Sequence, residues 1–199
     1  MSALFRHFDE LYRGGEPLGG IQTISGETTS PPDMPLRPAA VLAAITERER
    51  PGMLLIHRPS NMRAHPGQIA LPGGKLDPGE APVEAALREA WEELGIRSDD
   101  VRIVGTSDRY RTGSGYDITP VIGIVPPDIE LNPSPTEVAQ WFEAPVDFVL
   151  DSANHIQRTI EGANGLPRQV YSIQWQEHEI WGVTAAILVN LARRLRWNG

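Results

Sequence analysis

Three glutamates within a single stretch of five residues, Glu89, Glu92 and Glu93, are the strongest chemical feature of this chain. On a helix advancing about 100° per residue they project to one side, roughly opposite an apolar stripe of Val83, Leu87, Ala90 and Leu94. Carboxylates crowded in this way repel one another unless a cation neutralises them, and hard oxygen donors favour Mg²⁺ or Mn²⁺. Such cations bridge phosphate oxygens, so a metal-bound pyrophosphate is the natural occupant. Taken alone, Glu84, Arg88, Glu89, Glu92 and Glu93 read more simply as a solvated helix face with i,i+4 pairs. What surrounds the helix decides between the two.

The helix itself is well marked. Pro82 suits its first turn and Gly95 its stop, and the preceding GGKLDPGE predicts a loop enforced by paired glycines and Asp-Pro-Gly. Upstream, residues 39–46 and 53–57 are apolar runs separated by the charged turn ERERPG, which predicts an antiparallel pair of strands. Residues 68–72 are expected to form a short strand, residues 101–110 and 117–125 two more, and residues 137–142 an edge strand. A short helix is expected at 146–150, a hairpin at 157–161 and 169–174 across GANGLP, and a closing helix at 183–195. At the front, Leu4, Phe5, Phe8, Leu11 and Tyr12 recur at helical spacing before a Gly, Pro, Ser and Thr-rich linker from 14 to 38. The order of elements predicts an α/β (α+β) class: a mixed sheet covered by helices on both faces, an α/β/α sandwich.

Gly74, Glu80, Arg88, Glu89, Ala90, Glu92, Glu93, Gly95 and Ile96 together resemble the signature of the Nudix hydrolases, with the small Ala90 as a mild departure from its aliphatic position. The resemblance implies the Nudix fold over residues 37–199, with 1–36 as an N-terminal helix and loop extension, and metal-dependent cleavage of a pyrophosphate. It further implies Glu89 and Glu93 as metal ligands, with Glu92 as either a third ligand or the general base. Arg88 would hold Glu80 or another carboxylate in place, Glu80 would assist, and the Gly73-Gly74 turn would admit metal or phosphate close to the backbone. Glu137 stands where an additional acid near the metals is expected, or is simply a strand glutamate on the surface.

Residues 54–74, LLIHRPSNMRAHPGQIALPGG, resemble the motif of the coenzyme A pyrophosphatase branch at Leu54, Leu55, Arg58, Arg63, Gly67, Pro72, Gly73 and Gly74. Ile56, Pro59 and Leu71 depart from it. On this resemblance the substrate is coenzyme A or an acyl derivative, bound by Arg58, Arg63, His65 and Gly73, and the products are 3′,5′-ADP and 4′-phosphopantetheine. The neighbouring alternatives are ADP-ribose, NADH or a dinucleoside polyphosphate as substrate, and, from a different class, a Nudix module that binds a nucleotide without turnover. Trp181, Gly182 and Thr184 are expected to pack the last helix rather than touch substrate.

Composition limits the remaining possibilities. Eighteen Lys and Arg against 26 Asp and Glu in 199 residues give a net charge of −8, which argues against a protein that coats nucleic acid. The absence of cysteine excludes disulfides, thiolate zinc sites and cysteine nucleophiles. Charges at Arg6, Asp9 and Glu10 interrupt any secretory apolar stretch and no segment is long enough for a membrane span, so the expected setting is cytoplasmic. The N-terminal helix and loop either contact a second copy in a homodimer or cap the fold.

Overall fold

The structure is a computed structural model that describes residues 2–18, 35–60, 67–161, 165 and 167–197. Helix α1 (Ala3–Gly14) precedes strands β1 (Arg37–Thr46), β2 (Gly52–His57), β3 (Ile69–Ala70) and β4 (Gly73–Lys75), then helix α2 (Pro82–Leu94). Strands β5 (Arg102–Thr106), β6 (Tyr110–Arg111), β7 (Tyr116–Val125) and β8 (Gln140–Pro145) follow, then the short helix α3 (Val146–Val149). Strands β9 (Ile156–Glu161), β10 (Pro167–Trp175) and β11 (His178–Trp181) lead into helix α4 (Val183–Arg194). No described helix is long and apolar enough to cross a membrane.

The centre of the main sheet is β1, parallel to β7 in continuous register from Arg37 opposite Tyr116 to Thr46 opposite Val125. Every other pairing in that sheet is antiparallel: β2 on β1, β8 and β3 on β2, β4 on β1, and β5 and β6 on β7. A parallel pair is normally buried on both faces, which explains why β1 reads as an unbroken apolar run instead of alternating. Its side chains still alternate between two cores. Ala43 and Ile45 join Met53, Leu55 and Ile122 on one face, whereas Ala40, Leu42 and Ala44 join Leu54, Ile56 and Val121 on the other. Helix α2 covers the second face, and α1, α3, α4 and the smaller sheet share the first. The expected layering of a mixed sheet between helices is therefore what the chain adopts.

Several details differ from expectation, the first being that the stretch expected as one strand at 101–110 is broken into β5 and β6 by residues 107–109. Gly73–Lys75 belongs to a strand, not a loop, because its backbone pairs with β1 at Val41 opposite Gly73, Ala40 opposite Gly74 and Ala39 opposite Lys75. The strand expected at 137–142 begins at Gln140, which leaves Glu137 in the preceding turn. The hairpin β9–β10 gains a third strand, β11, whose alternating burial (His178 and Ile180 in, Glu179 and Trp181 out) is the period-two signal of a half-buried strand. This small sheet is joined to the main one through His178, which stacks on Phe142 at 3.8 Å and shares a 3.0 Å hydrogen bond with His57. Burial, together with the neighbouring His178 ring, lowers the His57 pKa.

Helix α1 is part of the main core. Phe8 is fully buried and stacks on Trp197 at 5.7 Å, while the Tyr12 hydroxyl donates to the Thr106 carbonyl. Truncating Phe8 to Ala should cost about 3–5 kcal/mol of unfolding free energy in a denaturant titration. A loss below about 1 kcal/mol would mean that α1 is not a structural part of the domain.

Candidate active site

Helix α2 owes its position to small residues. Ala85, Ala86 and Ala90 are fully buried against the face of the sheet that carries Ala40, Leu42 and Ala44, so the helix axis can approach β1 closely. This contact accounts for the alanine at position 90. The Ala81 N–H donates to the Glu84 carboxylate at the start, and Gly95, at φ 73°, closes the end by donating to the Ala90 and Trp91 carbonyls.

The helix is rolled relative to the stripe expected from sequence. Val83 and Leu87 are only partly buried, and the buried face is centred on Ala86, Ala90 and Glu93. Glu93 therefore sits not opposite the core but inside it, 3% exposed, and Glu89 lies half-sheltered at its edge. Glu92 points outward with its side chain 47% exposed. Among the described residues no three acidic or histidine side chains are gathered closely enough to form a ligand set by themselves.

Glu89 and Glu93 open onto a cleft of about 420 Å³ that is also lined by Arg58, Gly73, Gly74, Tyr116 and Glu137. Each arrives from a different element. The two glycines come on β4, where a Cβ on Gly74 would fall 2.3 Å from Glu89 Oε1 and one on Gly73 would fall 2.3 Å from the Ala40 carbonyl oxygen. Only glycine fits at Gly73, whereas a side chain at Gly74 would push the Glu89 carboxylate aside. The Gly73 N–H donates to Glu93 Oε2 at 2.8 Å, and Arg58 Nη1 stands 3.9 Å from Glu93 Oε1. Arg58 Nε is buried without a hydrogen-bond partner among the described residues. Glu137 reaches the cleft because its loop is strapped to the end of α2: the Asn132 N–H donates to the Leu94 carbonyl and the Ser134 N–H to the Glu93 carbonyl. These straps satisfy carbonyls that a helix terminus leaves open.

Burial pushes Glu93 up to about 8, with further repulsion from Glu89 and Glu137, and it raises Glu89 in the same direction. Two carboxyls held above the ordinary range in one cleft are groups whose ionisation a cation would restore. Mg²⁺ commonly takes only one or two protein carboxylates and completes its shell with water and substrate phosphate, so Glu89 and Glu93 fit such an ion.

Arg88 organises the rim. Its Nε and Nη2 donate to Glu80 as a fork at 2.9 and 3.1 Å, Nη1 donates to both Glu89 and Glu92 at 3.0 Å, and Nη2 also reaches the Lys75 carbonyl. The guanidinium beside Glu80 lowers that carboxyl's pKa. Arg88→Met should reduce turnover by about 10- to 100-fold, the range for residues that orient metal ligands. Arg88→Lys should rescue little of it, since one ammonium cannot span these acceptors. Full activity in Arg88→Met, measured across a Mg²⁺ titration, would remove it from the site.

A Nudix domain model matches residues 35–160, the span that contains β1, α2 and the whole cleft. The chain belongs to the Nudix family. Among its relatives, a protein of Enterobacter sp. (strain 638) named uncharacterized Nudix hydrolase NudL is 41% identical over 160 residues, covering 80% of this chain and 83% of that protein. The protein of the same name from Photorhabdus laumondii is 37% identical over 161 residues, covering 80% and 86%. In three dimensions the chain is similar to the Ap4A hydrolase of C. elegans, with 20% identity and a TM-score of 0.48 over 55% of this chain and 80% of that one. It is also similar to the Nudix domain of Shewanella oneidensis NrtR in complex with ADP ribose, with 19% identity and a TM-score of 0.45 over 58% and 76%. Family membership makes this Nudix protein a hydrolase.

Of the residues singled out in the sequence, the cleft unites Glu89, Glu93, Glu137, Arg58 and Gly73. Glu92, Arg88 and Glu80 form the adjoining rim. Arg63 and His65 lie outside the described residues. The Thr184 hydroxyl donates to the Ile69 carbonyl at 2.9 Å, whereas Trp181, expected to pack the last helix, is exposed. Tyr116 is a cleft residue that sequence reasoning missed, since it stands alone at the start of a strand more than twenty residues beyond α2 and carries no local signal.

Proposed function

We propose that this Nudix hydrolase cleaves the pyrophosphate linkage of coenzyme A or an acyl derivative, releasing 3′,5′-ADP and the matching 4′-phosphopantetheine. The observation that supports this reading most is that Arg58, Gly73 and Gly74, all from the segment resembling the coenzyme A branch, line the same cleft as Glu89 and Glu93. Substrate-selecting and cation-binding groups thereby share one wall.

In this reading Glu89 and Glu93 hold Mg²⁺ or Mn²⁺, and Glu92, which shares an Arg88 amino group with Glu89 at the rim, turns inward as a third ligand or acts as the base. The cation supplies charge neutralisation at the phosphates and acidifies the attacking water. Arg58, whose Nη1 stands 3.9 Å from Glu93 Oε1, meets the polyanion beside the ligands, where its guanidinium can donate to a phosphate oxygen. Glu137, facing both ligands, is placed to take a proton from water. Gly73 holds Glu93 Oε2 through its N–H, and Arg88 with Glu80 positions Glu89, so those three act through the ligands. Water attacks one phosphorus, the bond to the bridging oxygen breaks, and the two phosphate monoesters leave.

The purified protein, given Mg²⁺ or Mn²⁺ and in turn coenzyme A, NADH, ADP-ribose and diadenosine polyphosphates, tests this by product mass. Formation of 3′,5′-ADP from coenzyme A at a kcat/KM above that for the other substrates is the expected result. Preference for ADP-ribose, NADH or a dinucleoside polyphosphate would overturn the substrate, and binding of all four without turnover would overturn the hydrolysis.

A further inference from the structure

Beside the carboxylate cleft lies a second cavity, of about 150 Å³, which shares Val41, Arg58, Gly73 and Tyr116 with it. Its far wall is apolar: Ile69 and Leu71 from the β3 segment face Val183 and Ile187 from the first turns of α4. Among the described residues no Asp or Glu lines it. Three of its hydroxyls are already engaged. Thr184 donates to the Ile69 carbonyl, Thr112 and Ser114 share a 3.0 Å bond, and the Tyr116 N–H donates to Thr112 Oγ1. Among the described residues the one cation on its border is Arg58, which stands at the junction with the cleft.

We infer that this cavity is the specificity subsite for the group esterified to one phosphate, and that it takes a compact branched alkyl arm, with Ile69, Leu71, Val183 and Ile187 as the selecting residues. The inference rests on the pyrophosphatase reading above. Size and chemistry both favour such an occupant. An apolar space of about 150 Å³ holds a six-carbon ring or a branched five-carbon group, and is too small for a purine with its sugar. A ribose beside the phosphate would bring hydroxyls against the side chains of Ile69, Leu71, Val183 and Ile187, which offer them no partner, and unpaired buried hydroxyls are unfavourable. A quaternary carbon bearing two methyls, one methylene from the phosphate oxygen, meets that wall without this penalty. Coenzyme A carries such an arm next to its pyrophosphate, whereas NADH, ADP-ribose and dinucleoside polyphosphates place ribose on both sides.

The test uses two synthetic esters of ADP that differ only in the group on the terminal phosphate: 2,2-dimethylpropyl and methyl. Hydrolysis with Mg²⁺ and equilibrium binding with Ca²⁺ are measured side by side for the full chain. We expect the dimethylpropyl ester to be favoured about tenfold or more in kcat/KM and in affinity, since each added methyl in a fitted apolar pocket is worth up to about tenfold. Val183→Phe, which directs a larger ring into the space, should bring both ratios close to one. Equal affinity of the two esters for the wild-type protein would overturn the subsite, whether or not turnover is seen. Tighter binding of the branched ester with no hydrolysis of either would keep the subsite and overturn the hydrolase reading. A preference that survives unchanged in folded Val183→Phe would overturn the assignment of the α4 wall.

Discussion

Glu93→Gln should lower kcat/KM by about a thousandfold or more while the protein still folds. The substitution keeps the shape and leaves the side-chain oxygen able to accept from the Gly73 N–H, so the buried hydrogen bond at 2.8 Å persists. What disappears is a negative charge in a site shielded from water, where electrostatic contributions to a phosphoryl transition state are largest. The same substitution has a second, opposite signature in stability. Without a cation the folded protein holds the Glu93 proton up to about pH 8, whereas the unfolded chain releases it near the ordinary carboxylate range of 4.5. Between those limits the native state binds more protons than the unfolded state, so metal-free stability is full at low pH and falls as pH rises toward 8. Glu89, raised in the same direction, adds to the slope. In EDTA the wild-type Tm should therefore drop between pH 5 and 8, Glu93→Gln should flatten the curve, and Mg²⁺ should lift the wild type most at pH 8. Undiminished turnover in folded Glu93→Gln would remove Glu93 from the metal site, and parallel Tm curves for the two proteins in EDTA would overturn its raised pKa.

Gly73→Ala should be strongly destabilising and should damage the cleft at the same time. Its Cβ would lie 2.3 Å from the Ala40 carbonyl oxygen and 2.6 Å from Val41 Cα, and both are backbone atoms of the central strand. Neither can rotate away as a side chain could. The backbone at φ 154° is also one that side chains rarely adopt. Either β4 separates from β1, which moves the Gly73 N–H away from Glu93, or the central strand deforms. An expected loss of about 3 kcal/mol or more would lower Tm by roughly 10 °C in a chain of this size, with activity falling alongside. Gly14→Ala is the control: nothing lies within 4 Å of its added Cβ, and Tm should stay level or rise slightly. Similar Tm values for the two variants would mean that β4 does not grip β1 as described.

Elements with strong local signals were legible before any coordinates. The ends of α2 at Pro82 and Gly95, the antiparallel β1–β2 pair, the β9–β10 hairpin and the closing helix α4 all follow from periodicity and turn chemistry. Strand β4 was not, because its paired glycines carry a turn signature and its strand character comes only from pairing with β1. Strand β11 had a readable alternation, but four residues beside a helix start are easily absorbed into the helix.

The sequence by itself determined the reaction class, since the spacing of Gly74, Glu80, Arg88, Glu89, Glu92 and Glu93 is a property of one loop and one helix and needs no distant partner. Tertiary structure alone decided how those groups divide their work. The roll of α2 was set by the alanine contact with β1, and that roll buried Glu93, kept Glu89 at the edge and left Glu92 at the rim. The strapping of residues 132 and 134 to the end of α2 brought Glu137 to the cleft, and the parallel register of β1 with β7 brought Tyr116. These outcomes depend on packing between segments far apart in the chain, and periodicity within any one of them carries no record of it.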